Sequence, residues 1–470
     1  MSPTVVSHTA TKPTTRSTLA RETFFALGVV VALKTLLWML DPTMRTFMGD
    51  SGSYLWAALS NQPPPDRSFT YPLIIRATAL APGNLAALGW LQTLVGVMLC
   101  GFVHRCLRLN LGVSPRVALA VIAALAIEPG QLFFERMVMT ETIGTFCFVM
   151  MVLAGIAYVR SGRLHSLLAV AVFGMLVASL RLSLLPVVLG FAPLPVLVRL
   201  LADHRRWLRA GLHLVVVIAA TLFCHKAYQR WYDTESDALE RSDYTHSSGR
   251  MRIGLLAPLV KPEHLQRAGL PGELVARTLP PSSDPRHRES QIWLDTGLYA
   301  LIARYSSTPD DSARKVAMYA FRDDPLGLLR LGFGNLLDHF DRGITASRMQ
   351  DDLGTRPPDA GMVTIIAERF GHDVEGVATR SSPVYAYYAG SRWWWILLLF
   401  SLPLLALAVW WRHRREDPAM AALLALLGLG MFTSHVLFSH IVSFRYLHPM
   451  AVITAILVAY LASRPGTDRR

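Results

Sequence analysis

The sequence predicts an all-α polytopic membrane protein, with about ten transmembrane helices and a mainly helical outer (periplasmic) segment. Three observations carry that expectation. Long apolar stretches recur along the 470 residues, which are 52% apolar and only 17% charged, against about a quarter in soluble domains. Arginines cluster at the ends of those stretches. One long stretch, residues 228–390, instead has the composition of ordinary soluble protein. A mean hydropathy of +0.35 excludes a soluble enzyme and a disordered scaffold. The four cysteines (Cys100, Cys106, Cys147, Cys224) all lie in or beside apolar segments, so residues 228–390 hold no disulfide framework.

A span takes about 20 apolar residues. Candidate spans fall at residues 22–40, 87–104, 117–134, 138–158, 164–180, 183–200, 210–227, 391–411, 419–438 and 446–462. The first follows a Thr- and Ser-rich start without acidic residues, and ends at Leu40-Asp41-Pro42 with no small-residue cleavage site. It reads as an uncleaved signal anchor. Residues 41–86 are too polar to cross; 51–60 and 73–81 read as short interfacial helices around Gln62-Pro63-Pro64-Pro65. Glu128-Pro129-Gly130 interrupts the third span. Pro186, Pro193 and Pro195 interrupt the sixth, which neighbouring helices can accommodate. In the long polar stretch, 312–323 and 325–340 are helical patterns with Asp324-Pro325 as cap and first-turn proline. The second of these is apolar enough to rest on the membrane. Frequent Pro, Gly and Ser between 258 and 290 favour loops. The chain divides into an N-terminal membrane module (1–227, with outer loop 41–86), an outer soluble segment (228–390), and C-terminal membrane helices with a cytoplasmic tail (391–470).

The formal charge of +13 does not mark a nucleic-acid binder, because the basic residues sit at span ends and form no single face. They are Arg105 and Arg108; Arg160 and Arg163; Arg205, Arg206 and Arg209; Arg412, Arg414 and Arg415; and Arg464, Arg469 and Arg470. Cytoplasmic loops collect Lys and Arg. Both termini are therefore expected in the cytoplasm, with residues 41–86 and 228–390 outside a cytoplasmic (inner) membrane. Arginine far outnumbers lysine, as in GC-rich bacterial genomes.

Ionisable residues near the outer ends of spans are costly to bury and point to function. Asp50, ahead of an interfacial helix, has two readings: general base for an acceptor hydroxyl, or helix N-cap. Glu141 opens the fourth span behind Thr140. Arg181 and Arg445 sit at the headgroup level, where a guanidinium fork suits phosphate. Lys34 reads as snorkelling outward. Asp41 and Asp66, each beside a proline, read as facing water or ending structure. His435, His440 and His448 read as hydrogen-bonded helix contacts, and no Cys/His spacing marks a zinc site.

Four elements in order carry a resemblance: Gly49-Asp50-Ser51 with Tyr54, Thr70-Tyr71-Pro72-Leu73, Thr140-Glu141, and Arg445-Tyr446-Leu447 followed by Pro449. Together they resemble the GT-C superfamily of integral membrane glycosyltransferases, in the branch of protein O-mannosyltransferases and aminoarabinose transferases (glycosyltransferase family 39-like). Members of that branch usually carry an acidic pair in the first loop, whereas here Asp50 is followed by Ser51. The resemblance implies inverting transfer of a sugar from a polyprenyl-phosphate donor to a lipid, glycan or protein acceptor outside the membrane. It implies Asp50 and Glu141 as catalytic carboxylates, with Asp50 as base. Tyr54, Tyr71, Arg136, Arg181, Arg445 and Tyr446 are then substrate-binding residues, and no cofactor or metal is expected. A lipid or sugar transporter would instead gather polar groups at the midplane. A polysaccharide polymerase or ligase would share the outer-face chemistry with a pyrophosphate-linked donor.

Overall fold

The computed structural model describes residues 16–64, 67, 69–202, 207–236, 248–354 and 359–463. Asp66, Arg205, Arg206, Arg464, Arg469 and Arg470 lie outside the described residues. The chain is an all-α polytopic membrane protein. Among the described residues, seven helices are long and apolar enough to span a bilayer, and three further apolar helices are shorter.

The N-terminal half runs α1 (Arg16–Leu40), α2 (Met48–Ser60), α3 (Thr70–Ile75, extended by a π-turn to Leu80), α4 (Leu85–Leu109), α5 (Pro115–Ala126), α6 (Pro129–Phe134), α7 (Glu141–Ser161), α8 (Leu164–Leu180), α9 (Leu185–Phe191), α10 (Leu194–Ala202) and α11 (Trp207–Ser236). Punctuation explains most of the boundaries. Asn84 and Ser114 accept backbone N–H bonds at the starts of α4 and α5, and Gly162 ends α7 in the left-handed region at φ 65°. The third span stops short of its expected length. Glu128 turns away from α5 to cap α6, accepting from Gln131 N at 2.6 Å and from Trp394 Nε1 at 2.9 Å. α7 is apolar all round because the other helices enclose it.

The segment between α11 and α22, expected from the sequence to lie outside the membrane and labelled the outer segment for that reason, runs α12 (Ser248–Leu256), α13 (Pro262–Arg267), α14 (Ser290–Trp293), α15 (Leu298–Tyr305), α16 (Pro309–Asp323), α17 (Pro325–Asp338), α18 (Arg342–Asp352), α19 (Ala360–Phe370), α20 (Val374–Thr379) and α21 (Pro383–Ala389). α12 to α16 enclose their own small core around Ile253, Leu265, Ile302 and Val316. The stretch 258–290, expected as loop, contains α13 and three 3₁₀ turns (257–259, 272–277 and 285–287), and prolines sit at first-turn positions in α13 and in the first and last of those turns. Asp324 caps α17 at 2.8 Å from Gly327 N. The chain closes with α22 (Arg392–His413), α23 (Pro418–Phe438), a 3₁₀ turn at 444–446, and α24 (His448–Leu461). α17 crosses the C-terminal end of α23 so closely that a Cβ on Gly332 would meet the Val436 carbonyl oxygen at 2.1 Å. It leaves Leu326, Leu329, Phe333 and Leu337 exposed as one stripe.

Residues 41–47 join bundle and outer segment. Arg45 N donates to Arg136 O at 2.9 Å and Val138 N donates to Arg45 O at 3.0 Å. On the other side, the Arg45 guanidinium donates to the carbonyls of Leu353 (3.4 Å) and Arg380 (2.6 Å).

Two charged residues differ from expectation here. Asp41 is buried, accepting from the hydroxyls of Thr43 and Ser382 and from Val384 N at 3.2 Å, so it fastens α1 to the outer segment. Lys34 does not snorkel. α1 packs it against α4 and α5, where Nζ lies 2.6 Å from Glu135 Oε1 and 3.2 Å from Ala126 O. An unpaired ammonium there would be too costly to retain.

Candidate active site

Two helix starts and two turns converge at one end of the bundle. Asp50 rides in the first turn of α2 and Glu141 opens α7, and a carboxylate is favoured at each by the helix dipole. Arg181 is the first residue beyond α8, and Arg445 lies in the turn leading into α24. Arg445 joins the two carboxylates. Its Nη1 donates to Asp50 Oδ2 at 3.0 Å and its Nε to Glu141 Oε1 at 3.0 Å. Arg181 Nη2 lies 3.7 Å from the same Glu141 oxygen and 3.4 Å from Arg445 O. Gly144, one turn into α7, makes room for it: a Cβ there would lie 2.8 Å from Arg181 Cδ. Arg67 closes the cluster, with Nη2 at 2.5 Å from Asp50 Oδ1.

Three guanidiniums thus contact two carboxylates in a largely dry site. Burial works against the charge on Arg445, and Glu141 and Asp50 outweigh it, holding the guanidinium firmly protonated. Arg181 Nη1 and Glu141 Oε2 are buried in the cluster without a hydrogen-bond partner. Buried polar atoms are seldom left so, and the pair offers one donor and one acceptor to a ligand.

The aromatic residues frame this cluster. Tyr54 meets Tyr71 edge-on, with ring centroids 5.1 Å apart, and Arg67 lies 5.7 Å over the Tyr54 ring. Burial pushes the Tyr54 phenol up to about 12, so it stays a neutral donor. Tyr71 is a step behind the cluster, its hydroxyl donating to Gln92 Oε1 at 2.9 Å. The Arg445 guanidinium lies 4.5 Å over Phe47 and 6.0 Å from the Tyr446 ring centre.

A second polar layer fixes the register below. Thr145, one turn past Glu141, meets His448 Nδ1 at 3.2 Å, and His448 Nε2 meets Gln131 Oε1 at 3.2 Å. Gln131 Nε2 in turn donates to Glu135 Oε1 at 2.7 Å, the oxygen that holds Lys34. This chain ties α24 to α7, α6 and α1, and so sets where Arg445 stands relative to Glu141.

The structure therefore brings together Asp50, Glu141, Arg181 and Arg445, with Tyr54 and Tyr446 beside them. It does not bring Arg136. That guanidinium donates to Asp41 O at 2.9 Å and Leu132 O at 3.0 Å and lies 4.7 Å over Trp38, so it braces the end of α1. Nor is Asp50 a helix cap. Phe47 holds the N-cap position, and Ser51 Oγ accepts from Phe47 N at 2.7 Å, leaving the Asp50 carboxylate to the arginines. Sequence reasoning missed Arg67. Among the described residues, no three His, Cys, Asp or Glu side chains are grouped to hold a metal ion.

No protein-family model matches the chain, and no curated protein matches it. Among solved structures it is similar to ArnT from Cupriavidus metallidurans bound to undecaprenyl phosphate. The identity is 11% over 90% of this chain and 77% of that one, with a TM-score of 0.35.

Proposed function

We propose that this protein is a membrane glycosyltransferase that moves a sugar from a polyprenyl-phosphate donor to an acceptor hydroxyl on the outer face of a bacterial cytoplasmic membrane. The carrying observation is the buried cluster of Arg67, Arg181 and Arg445 on Asp50 and Glu141, with its unpartnered Arg181 Nη1. In this reading both termini are cytoplasmic and the lipid phosphate meets the arginines at the headgroup level.

In the resting site both oxygens of Asp50 are occupied by guanidiniums. An incoming phosphate competes for those same donors. As Arg445 Nη1 turns to the phosphate beside Arg181, Asp50 Oδ2 is released to accept a proton. The acceptor oxygen then attacks the anomeric carbon on the face opposite the phosphate. The bond from that carbon to the phosphate oxygen breaks with its electron pair on the phosphate, and the acceptor proton passes to Asp50. The arginines stabilise the departing phosphate, and the anomeric configuration inverts. Glu141 anchors the Nε edge of Arg445 while its Nη1 changes partner.

The test is transfer by purified protein in lipid nanodiscs supplied with a labelled polyprenyl-phosphate sugar and envelope acceptors. Release of polyprenyl phosphate together with labelled acceptor or free sugar is expected, and Arg445→Ala abolishes it. Intact donor under all these conditions, in protein shown to be folded, overturns the reading.

A further inference from the structure

The two faces of α17 meet different surroundings. Its buried face rests on the end of α23 and on the loop that follows it. Gly332 lies against the Val436 carbonyl, Asn335 Nδ2 donates to Ile441 O at 3.3 Å, and the ring of His339, the residue after the helix, is 6.4 Å from Phe444. Phe444 opens the turn that presents Arg445. The opposite face carries Leu326, Leu329, Phe333 and Leu337, with Phe340 just beyond the helix, each between 39% and 67% exposed. Their spacing of three and four residues puts them in one stripe. Among the exposed positions of α17 only Arg330 is charged, and it pairs with Asp324.

A contiguous apolar face of this kind calls for a cover, and α22 shows which. Trp393, Leu397, Leu404 and Trp411 are between 59% and 70% exposed and recur at helical spacing along one side of this span-length helix, so they face lipid chains. Phe400 stands on the same side, between Leu397 and Leu404, and the Phe340 ring packs on it with centroids 5.1 Å apart. Arg392, the first residue of α22, donates to the Phe340 carbonyl at 2.7 Å. The α17 stripe therefore runs on into the lipid-facing side of α22.

We propose that α17 is a membrane-seated helix: its stripe lies in the headgroup–acyl boundary of the bilayer that surrounds α22, while its other face supports the Arg445 turn. The occupant is lipid and not a second copy of this chain, because the stripe continues a surface that lipid must cover. Fourteen residues are too few to cross the hydrocarbon layer, so the helix lies along the boundary, across the end of α23. Arg330 suits that level, with its stem along the stripe and its guanidinium among the headgroups. Trp393, at the start of α22, belongs to the same level, since tryptophan favours the interface. The inference stands on the membrane fold and is independent of the glycosyltransferase reading.

The experiment places single cysteines at Leu329, Phe333 and Leu337 in full-length protein lacking the native four, with Lys315 on the neighbouring α16 as a control. Nitroxide labels on these cysteines are read in lipid nanodiscs by their collisions with oxygen, which concentrates in lipid, and with a nickel chelate, which stays in water. Oxygen collisions are expected to exceed nickel collisions at the three stripe positions, at a depth of about 5–10 Å, and the order is expected to reverse at Lys315. Nickel in excess at the stripe overturns the proposal. Labels shielded from both reagents, with the spin–spin broadening of a second copy, overturn it as well. If the labelled proteins do not fold, wild-type protein in bilayers containing a lipid with a diazirine high on its acyl chain decides. Carbene adducts are expected on residues 326–340 as well as on Leu397 and Leu404, and adducts on α22 with none on α17 overturn the proposal.

Discussion

Removing Arg445 separates binding from bracing. In the resting site its guanidinium is 3.0 Å from both Asp50 and Glu141, and the Glu141 side chain is wholly buried. Arg445→Ala leaves Glu141 with only Arg181, at 3.7 Å, while Asp50 keeps Arg67. Breaking a buried pair by removing one partner costs about 3–5 kcal/mol. The remaining arginine lowers this to about 2–3 kcal/mol here, read as a fall in the thermal midpoint. Donor binding loses a charge-assisted contact in a desolvated site, about 2–4 kcal/mol, or roughly 30- to 1,000-fold in affinity. The double variant Arg445→Ala with Glu141→Gln discharges the stranded carboxylate. Its stability should recover by about 1–2 kcal/mol while donor affinity stays low. Arg445→Lys restores charge without the fork and should recover donor affinity only in part. Calorimetric donor binding and thermal unfolding in matched detergent provide both readouts. A folded Arg445→Ala protein with wild-type donor affinity would refute the reasoning and leave Arg445 as a brace between helices.

Three further outcomes are expected. Asp50→Asn retains one acceptor oxygen but turns an amide toward the second arginine, so it should bind donor yet lose about 10²–10⁴-fold in transfer rate; near-normal transfer in this variant, with transfer abolished in Glu141→Gln, would reassign the base. Single cysteines at the exposed positions Ser60 and Ser283, in a background lacking the native four, should react with an impermeant thiol reagent in intact cells, while one at Ser161 should not; the opposite pattern inverts the topology. Lys34→Met should destabilise by about 3–5 kcal/mol by stranding Glu135, and Lys34→Met with Glu135→Leu should regain most of that loss in thermal unfolding.

The apolar segments were legible because each declares itself within about 20 consecutive residues. Asp50, Glu141, Arg181 and Arg445 were legible for a related reason: an ionisable residue at a span end stands out against apolar neighbours. What escaped the sequence is partnership across the chain. Lys34 reads as a snorkelling lysine until Glu135, 101 residues away, is found beside it. Asp41 reads as a solvated helix end until Ser382, 341 residues away, meets its carboxylate. Arg136, five residues before Glu141, lies just past the end of α6 and donates to the Asp41 carbonyl instead. Arg67 follows a proline run that reads as solvated loop.

The short segment 41–47 limits how this protein can be re-engineered. Its backbone is bonded to residues 136–138 within the bundle, while its side chains serve carbonyls and hydroxyls at 353, 380 and 382 in the outer segment. A chimera that grafts a foreign outer segment between α11 and α22 would strand a buried arginine and a buried aspartate at the first junction. The exchangeable cassette is therefore discontinuous: residues 41–47 must travel with the outer segment they grip, although some 200 residues of membrane helix separate the two in the gene.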